Sequence, residues 1–224
     1  MSKIVTVVAV SDTHGVPLDS VPLPKGDIFV YAGDMCGKSQ YWEVSEFARM
    51  VKALPYEHKV VIAGNHDIPV SDYQEMRDEL ASVSHYLQDS GVTIIGLRFY
   101  GSPYSPDFFP DNWVFNQTRK STGTVARWNA IPDDVNVLIT HGPPQGVLDK
   151  CPALRDRSQY VSVGCEVLRK RVAELSALKL HVFGHIHEGR GTVKEGNVLF
   201  ANVAALDGRY RPYNEMYTVV ELEV

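Results

Sequence analysis

Residues 29–34 read FVYAGD, a short apolar run that stops at a glycine and then at a carboxylate. The run predicts a buried strand whose end carries Asp34 to the rim of a sheet, where ligands collect in open α/β folds. A strand that ends in Gly-Asp is, by itself, more typical of a plain turn. The interpretation therefore depends on whether the rest of the chain repeats the pattern.

The same pattern recurs at four other places in the chain. Each apolar run is followed by a small or polar turn and then by Asp, Asn or His. The runs are residues 4–10 before Asp12 and His14, 58–63 before Asn65, His66 and Asp67, 135–140 before His141, and 178–183 before His185 and His187. Five strand ends that all carry metal-type ligands predict one shared metal site at a sheet edge.

Composition predicts one domain with a full hydrophobic core. The chain has 224 residues, of which 44% are hydrophobic, so it can bury a sizeable core. We expect a single domain over residues 1–224, because a division would cut a site that runs from Asp12 to His187. The net charge of -5 argues against an extended nucleic-acid surface. A small anionic substrate is still compatible, since bound cations can reverse the local field.

The cysteines and the apolar segments favour a cytoplasmic protein. Cys36, Cys151 and Cys165 are odd in number and show no C-x-x-C spacing, which is typical of free thiols in a reducing compartment. We expect Cys36, two residues after Asp34, to be a small buried thiol and not a ligand. No segment reaches the roughly 18 apolar residues that a membrane span needs. The run at 4–10 lacks a small-residue cleavage site and reads as a strand, not as a secretion signal.

The remaining segments alternate between helical and extended patterns. Helical spacing predicts helices at 39–54, at 71–87 with a capping box from Ser71 to Gln74, at 122–130 and at 161–175. We expect a strand pair or one bent strand at 92–99, a loop at 142–160, and an antiparallel sheet from 191–194, 197–203 and 217–224. This order predicts an α/β fold of two mixed β-sheets flanked by helices, a four-layer α/β/β/α sandwich.

Residues 101–118 have no regular pattern, which is unusual for a segment of this length inside a compact domain. The segment carries three prolines and five aromatic residues, which are Tyr104, Phe108, Phe109, Trp113 and Phe115. These aromatic rings could form one wall of a substrate pocket, or they could only pack the loop down on itself. The sequence leaves both interpretations open. The histidines outside the motifs, His58, His85 and His181, are expected to be structural, with His85 in the helical stretch.

The candidate ligands suit a pair of divalent ions. Two ions about 3.5 to 4 Å apart can clamp both oxygens of an in-line phosphoryl displacement, and they need a bridging ligand. We expect Asp34 to bridge, because a carboxylate has two oxygens and a negative charge. Mixed oxygen and imidazole ligands favour manganese, iron or zinc over calcium. Manganese is the first expectation, with Fe2+, Zn2+ or Ni2+ as alternatives.

In these residues the chain resembles the calcineurin-like metallophosphoesterases. The family signature D-x-H, GD, GNH-D/E, H and GHxH appears here in order, which is far more specific than any single block. Its residues are Asp12-Thr13-His14, Gly33-Asp34, Gly64-Asn65-His66-Asp67, His141 and Gly184-His185-Ile186-His187. Further similarity at 101–103, 113–116, 138–144 and 180–189 is closest to the metallophosphoesterase-domain-containing phosphodiesterases. The resemblance covers nearly the whole chain.

The resemblance implies two metal sites and one further histidine. One ion would be held by Asp12, His14, Asp34 and His187, and the other by Asp34, Asn65, His141 and His185. Some vertebrate members carry glycine in place of the first histidine of the last block, so the presence of His185 implies a complete second site. His66 resembles the histidine that contacts the phosphate and protonates the leaving oxygen, and Asp67 would orient its ring.

The implied activity is hydrolysis of small phosphodiesters, with cyclic nucleotides (2′,3′ or 3′,5′) as the expected substrates. A metal-bridging hydroxide would attack in line while His66 assists the leaving group. Asn65, His66, His185, Tyr104 and Trp113 are the expected substrate contacts. The alternatives are a phosphomonoesterase or protein phosphatase with the same signature, a nuclease, which the acidic balance disfavours, and a metal-binding scaffold without activity. The sequence does not indicate an oligomeric state.

Overall fold

The structure is a computed structural model that describes residues 3–107, 113–153 and 155–224. The helices in these residues are α1 (Tyr41–Ala53), α2 (Ile68–Asp72), α3 (Gln74–Val83), α4 (Thr122–Asn129) and α5 (Glu166–Glu174), with short 3-10 turns at Leu18–Ser20 and His187–Gly189. The strands are β1 (Ile4–Val10), β2 (Ile28–Ala32), β3 (His58–Ile62), β4 (His85–Tyr86), β5 (Ser90–Ile94), β6 (Leu97–Ser102), β7 (Ser105–Pro106), β8 (Asn116–Gln117), β9 (Val137–Thr140), β10 (Lys150–Pro152), β11 (Tyr160–Ser162), β12 (Leu180–Phe183), β13 (Gly191–Glu195), β14 (Val198–Asn202) and β15 (Thr218–Glu223).

Two large mixed sheets form the centre of the fold. The first has the order β15-β1-β2-β3-β4, in which β1 to β4 are parallel and β15 is antiparallel to β1. The second has the order β13-β14-β12-β9-β6-β5, with parallel strands from β14 to β6 and an antiparallel strand at each edge. Two small two-stranded sheets, β7 with β8 and β10 with β11, lie outside them.

The core has three parts that separate four layers. Alternate residues of the inner strands face opposite ways, so that Val30 packs between the two sheets while Tyr31 packs under α1. A third cluster fills the space between the second sheet and helices α4 and α5, where Trp128 and Leu168 are fully buried. Strands buried on both faces explain the near-continuous apolar runs in the sequence. The predicted α/β/β/α sandwich of two mixed sheets is confirmed.

Most of the predicted strands and helices are present within two or three residues of their expected ends. The segment predicted as a strand pair is the antiparallel pair of β5 and β6. Residues 142–160, predicted as a loop, contain β10, which pairs with β11. The last three runs are strands, as predicted, but they do not form one antiparallel sheet. β13 pairs with β14 in the second sheet, and β15 crosses to the edge of the first.

Three predicted boundaries are wrong, and each has a local cause. Ser71 does not cap a helix, because α2 already begins after Asp67 and contains Ser71; α3 begins after the extended residue Tyr73. The helix predicted from Val161 begins only at Glu166, since residues 160–162 pair with β10. His85 lies in β4 and not in a helix, because the chain leaves α3 at Ser84 to pair with β3.

Within the described ranges the longest helix has 13 residues, and none is long and apolar enough to cross a membrane.

His181 is fully buried in β12, and its environment requires a neutral ring. Its Nε2 lies 2.8 Å from Thr140 Oγ1, which itself donates to the Gly142 carbonyl oxygen at 2.7 Å, so Nε2 is the donor to Thr140. Burial lowers the pKa of His181 from 6.5 to about 3. The ring therefore stays neutral in the folded protein at pH values where it takes up a proton in the unfolded chain.

This difference predicts a pH-dependent loss of stability that His181→Leu removes. A folded pKa below the unfolded one stabilises the native state above the unfolded pKa, and that stability is lost as the pH falls from about 6.5 towards 3. When the pH falls from about 7.5 to about 5, the free energy of unfolding should decrease by about 2 kcal/mol less in His181→Leu than in the wild type. Urea titrations at the two pH values measure this, with the exposed His85→Gln as control. Equal losses in wild type and His181→Leu would contradict the prediction.

Candidate metal centre

The seven predicted ligands all lie at one edge of the fold, where strand ends of the two sheets meet. They follow β1 (Asp12, His14), β2 (Asp34), β3 (Asn65), β9 (His141) and β12 (His185, His187). Four of them have a left-handed backbone, with φ of 52° at Asp12, 44° at His14, 59° at Asp34 and 67° at His185. Residues other than glycine adopt this conformation at a cost of about 1 kcal/mol or more each. The turns that carry these four candidate ligands therefore contain strained backbone.

Asp34, Asn65 and His141 bring three acceptor atoms together. His141 Nε2 lies 3.0 Å from Asn65 Oδ1 and 3.3 Å from Asp34 Oδ2. His141 Nδ1 lies 2.9 Å from the Ala32 carbonyl oxygen, which can only accept, so Nδ1 carries a proton. A neutral His141 ring then presents the lone pair of Nε2 to two oxygens. Three lone pairs that face one another repel, so this position favours a positive charge, either a metal ion or a proton on Nε2.

Asp12, His14 and His187 form a second group of the same kind. His187 Nε2 lies 3.2 Å from His14 Nε2 and 3.5 Å from Asp12 Oδ1. His187 Nδ1 donates to the Asp207 carbonyl oxygen at 3.1 Å, so its Nε2 also presents a lone pair inward when the ring is neutral. A hydrogen bond from the outer ring nitrogen to a carbonyl is the usual way in which a protein orients a metal-binding histidine.

Asp34 connects the two groups. Its Oδ2 lies 3.7 Å from His14 Nε2 on one side and 3.3 Å from His141 Nε2 on the other. His185 borders the second group, since its ring stands edge-on to His141 with centroids 5.0 Å apart. The ligand atoms of Asp12, His14 and His187 lie within 4.8 Å of one another, as do those of Asp34, His141 and His185. This donor set of carboxylate oxygen, amide oxygen and imidazole nitrogen fits divalent metal ions.

Electrostatics favour positive charge at both positions. Burial acts to lower the pKa of His141, but the charge of Asp34 and a hydrogen bond with it outweigh burial and raise this pKa to about 9. The pKa of His187 is likewise raised to about 9, because Asp12 outweighs burial. The Asp12 and Asp34 pKa values are lowered although burial opposes this, since the histidines stabilise their charge. Two buried carboxylates thus draw cations to the positions that metal ions would take.

A cleft of about 760 Å³ opens above these groups. Its floor is formed by candidate ligands, and one wall is the outer hairpin of β10 and β11, with Cys151, Ala153 and Val161 facing the cleft. Trp113 lies in another wall and packs on the His66 ring with centroids 3.9 Å apart. The cleft is large enough for a nucleotide-sized ligand.

Some aromatic residues of the 101–118 segment line the cleft, and others only pack the segment against the fold. Trp113 lines the cleft, as expected for a substrate contact. Tyr104 does not, because its ring lies under the Arg127 guanidinium at 3.4 Å and packs edge-on against Phe115, which is buried. The structure therefore does not bring Tyr104 to the site. Phe108 and Phe109 lie outside the described residues.

Comparison with known proteins agrees with this geometry. The family model for the calcineurin-like phosphoesterase matches residues 5–189. The chain belongs to the calcineurin-like phosphoesterase family. It is 39% identical to metallophosphoesterase domain-containing protein 1 of Homo sapiens over 231 residues, which cover 92% of this chain and 68% of the relative. It is 37% identical to UPF0046 protein K07C11.7 of Caenorhabditis elegans, over 88% of this chain and 69% of the relative.

A solved structure supports the fold alone. The protein TT1561 of Thermus thermophilus superposes with a TM-score of 0.62 at 14% identity and covers 99% of both chains. The family model and the relatives confirm the resemblance to the calcineurin-like metallophosphoesterases and to their metallophosphoesterase-domain-containing members. As a calcineurin-like phosphoesterase, the chain is a phosphoester hydrolase of a family that uses divalent metals.

The glycines of the calcineurin-like phosphoesterase motifs are required by close packing at the site. Gly33 has φ of 98°, and a Cβ there would lie 2.6 Å from His141 Nδ1 and 2.7 Å from the Ala63 carbonyl oxygen. A Cβ on Gly64 would lie 2.6 Å from both the Asp34 nitrogen and His141 Cε1, and would also clash with the Asp34 carboxylate. Any side chain at these positions must therefore push candidate ligands apart.

Asp67 has a different position from the one predicted. Its carboxylate is fully buried and accepts hydrogen bonds from the backbone nitrogens of Asp34 at 2.9 Å, Cys36 at 2.9 Å and Gly64 at 2.7 Å. Among the described residues it makes no hydrogen bond with the His66 ring. Asp67 therefore holds the Asp34 turn in place and does not orient His66. Cys36 is buried as expected.

Residues 205–213 also contribute to the site of this calcineurin-like phosphoesterase, and the sequence patterns missed them. This segment supplies the Asp207 carbonyl that orients His187, and it places the Tyr210 ring 5.0 Å from His14 and 5.2 Å from His187. The only available signal was the Asp-Gly pair at 207–208, which marks a turn. No ligand-type motif follows a strand here, so nothing linked the turn to the site.

Gly64→Ala is predicted to weaken metal binding while the chain still folds. The added methyl group displaces the Asp34 carboxylate and the His141 ring, and overpacking of this kind costs about 1 to 3 kcal/mol. We expect the affinity for Mn²⁺, measured by isothermal titration calorimetry, to fall at least about tenfold. Gly123→Ala in α4 is the matched control, since its Cβ would meet only Ser121 Oγ at 3.9 Å. If Gly64→Ala left the Mn²⁺ affinity unchanged, the close packing of Gly64 against Asp34 and His141 would not matter for metal binding.

Proposed function

We propose that this chain is a dinuclear metal-dependent phosphodiesterase that hydrolyses small phosphodiesters, with cyclic nucleotides as the substrate class. The observation that carries the proposal is the pair of candidate ligand groups that share Asp34 on the floor of a cleft of nucleotide size. Acidic composition supports a small substrate and not an extended nucleic acid.

Each ion would have four ligands, and Asp34 would serve both. Asp12, His14, Asp34 and His187 would hold one ion, and Asp34, Asn65, His141 and His185 the other. Two such ions supply positive charge for the phosphate and lower the pKa of a coordinated water towards 7. Manganese is our first choice, because it suits the carboxylate and amide oxygens of this set, and iron, zinc or nickel, which suit the imidazoles, are the alternatives.

Asn65 is suited to a second task at the cleft floor. Its Oδ1 faces His141 Nε2, whereas its Nδ2 is buried and has no hydrogen-bond partner among the described residues. A buried amide donor without a partner is costly unless a ligand satisfies it. We infer that Nδ2 donates to a phosphate oxygen of the bound substrate, which fixes the orientation of the phosphate.

His66 is placed to act on the leaving group. Its ring lines the cleft between Trp113 and His14, and its backbone nitrogen donates to Asp34 Oδ1 at 2.8 Å, which ties it to the candidate bridging residue. Burial lowers the pKa of His66, so its protonated ring is a stronger acid than a free imidazolium. In this proposal the protonated ring transfers a proton to the leaving oxygen and becomes neutral.

The substrate range follows from the walls of the cleft. Trp113 offers an aromatic surface beside His66, and the β10–β11 hairpin offers an apolar one. Such walls favour a phosphoester with a planar organic group over a small aliphatic one.

A substrate panel tests the proposal. With Mn²⁺ added, the protein should hydrolyse 2′,3′- or 3′,5′-cyclic AMP and bis(p-nitrophenyl) phosphate, and Asp34→Asn should abolish this activity, because the shared ligand is lost. Release of nucleotide by liquid chromatography and of nitrophenol by absorbance measures the rates. Hydrolysis of p-nitrophenyl phosphate without any diester cleavage would identify a phosphomonoesterase instead. A protein that neither binds metal nor cleaves any ester would be a scaffold.

His66→Ala separates its role from metal binding. Loss of a proton donor to the leaving group should lower kcat by roughly 10² to 10⁴ fold, with metal content equal to that of the wild type. Because His66 also lies within 4.8 Å of ligand atoms of His14 and Asp34, metal analysis is essential. If His66→Ala lost metal in proportion to activity, His66 would be a ligand. Trp113→Leu, which keeps His66, is the matched control and should raise KM more than it lowers kcat.

A further inference from the structure

Tyr210 occupies an unusual position at the cleft. Its ring lies edge-on to both His14 and His187, with centroid distances of 5.0 Å and 5.2 Å, and it lines the cleft. It is nevertheless 57% exposed, so most of the ring is open to solvent. A large aromatic side chain in this setting gains little from burial in the fold.

The backbone of Tyr210 is strained. Its φ is 58°, a left-handed conformation that is rare for bulky residues and that glycine or asparagine would adopt at lower cost. Strained residues persist only where their surroundings hold them, and they cluster at functional sites. A mostly exposed tyrosine in a strained conformation does not stabilise the fold, so we expect it to have a role in ligand binding.

The loop around Tyr210 is built to hold it there. The Tyr210 nitrogen donates to the Asp207 carbonyl oxygen at 2.8 Å, the same atom that accepts from His187 Nδ1. The Asp207 carboxylate accepts from the nitrogens of Arg209 at 2.8 Å and Arg211 at 3.0 Å, and it also binds the Arg211 guanidinium. One aspartate thus fixes both the orientation of His187 and the position of the Tyr210 ring above it.

Tyr210 also completes a row of rings across the floor of the cleft. The centroid distances are 3.9 Å from Trp113 to His66, 4.5 Å from His66 to His14 and 5.0 Å from His14 to Tyr210. His66 and the candidate metal ligand His14 are in the middle of this row, and Trp113 and Tyr210 are at its two ends. A phosphate held above the middle would therefore extend its organic group towards one end or the other.

We propose that Tyr210 is a specificity-determining residue whose ring stacks on a planar organic group of the substrate, such as a nucleobase. The proposal rests on the proposed function for the phosphoester class, and it adds the residue that selects nucleotides over aliphatic phosphoesters. It also accounts for the strain, since the exposed ring serves the ligand and not the fold.

The test compares two phosphate ligands that differ only in the organic group. Isothermal titration calorimetry on the Mn²⁺-loaded protein should show that adenosine 3′-monophosphate binds more tightly than glycerol phosphate. In Tyr210→Gly the nucleotide should bind about tenfold more weakly, as for loss of one base-aromatic stack, and glycerol phosphate should change less than about twofold. Mn²⁺ stoichiometry should not change. The thermal midpoint of the metal-free variant should equal or exceed that of the wild type, because glycine relieves the strain.

Lys120→Gly is the matched control. Lys120 has the same φ of 58°, lies outside the cleft lining and is exposed, so its replacement relieves the same strain without touching the site. Lys120→Gly should leave the binding of both ligands unchanged.

Three results for Tyr210→Gly would overturn the proposal. They are equal weakening of both ligands in Tyr210→Gly, no change in either, and a midpoint several degrees lower with loss of Mn²⁺, which would make the ring structural. A wild type that does not prefer the nucleotide would overturn it as well. Because these are equilibrium measurements, a failure of the proposed diesterase activity would appear in the substrate panel and leave this comparison readable.

Discussion

One hydrogen bond between the two sheets sets the geometry of the whole site. His141 leaves the end of β9 in the second sheet, and its Nδ1 donates to the Ala32 carbonyl oxygen at the end of β2 in the first. This bond turns Nε2 towards Asp34 and Asn65, so it decides which lone pairs meet. It also explains Gly33, since a side chain there would lie against Nδ1 and prevent the contact. The two sheets must therefore pack in this register for the candidate centre to exist.

The buried carboxylates at the site are held by backbone amides of neighbouring turns. Asp67 accepts from the nitrogens of the Asp34 turn, Asp34 accepts from the nitrogen of His66, and Asp12 accepts from the nitrogen of His185 at 3.0 Å. The turns of Asp34, His66 and His185 are thus each fixed by a side chain from another turn. Hydrogen bonds to charged groups stabilise by about 1.5 to 3 kcal/mol each, which offsets the strain of the left-handed residues. The turns that carry the ligands are therefore held by hydrogen bonds within the protein.

Sequence patterns predicted the parts of this site that depend on local structure. Strands buried on both faces give apolar runs, and ligands directly after them, such as Asp34 and His141, are visible as motifs. The other features of the site depend on tertiary contacts, which the sequence patterns do not show. Tyr104 is aromatic and lies in the right segment, but Arg127 covers its ring. Residues 160–162 match the start of a helix in sequence, and only their pairing with β10 shows that they form a strand. Tyr210 gives no sequence signal, because its position at the cleft depends on where the fold places an ordinary Asp-Gly turn.

The division between floor and walls explains why the motifs indicate the chemistry more firmly than the substrate. The floor is built from strand ends, whose positions follow from the sheets and leave little freedom. The walls come from segments outside the motifs, namely Trp113, the β10–β11 hairpin and the 205–213 loop. The hairpin itself is fixed by the buried Asp149, which accepts from the nitrogens of Gly146 and Gly164 at 2.9 Å each. The hairpin can select an organic group without disturbing the metal ligands, because among the described residues it shares no hydrogen bond with them, whereas the 205–213 loop is bonded to His187 through the Asp207 carbonyl oxygen. Substrate preference can therefore differ between proteins that have the same floor.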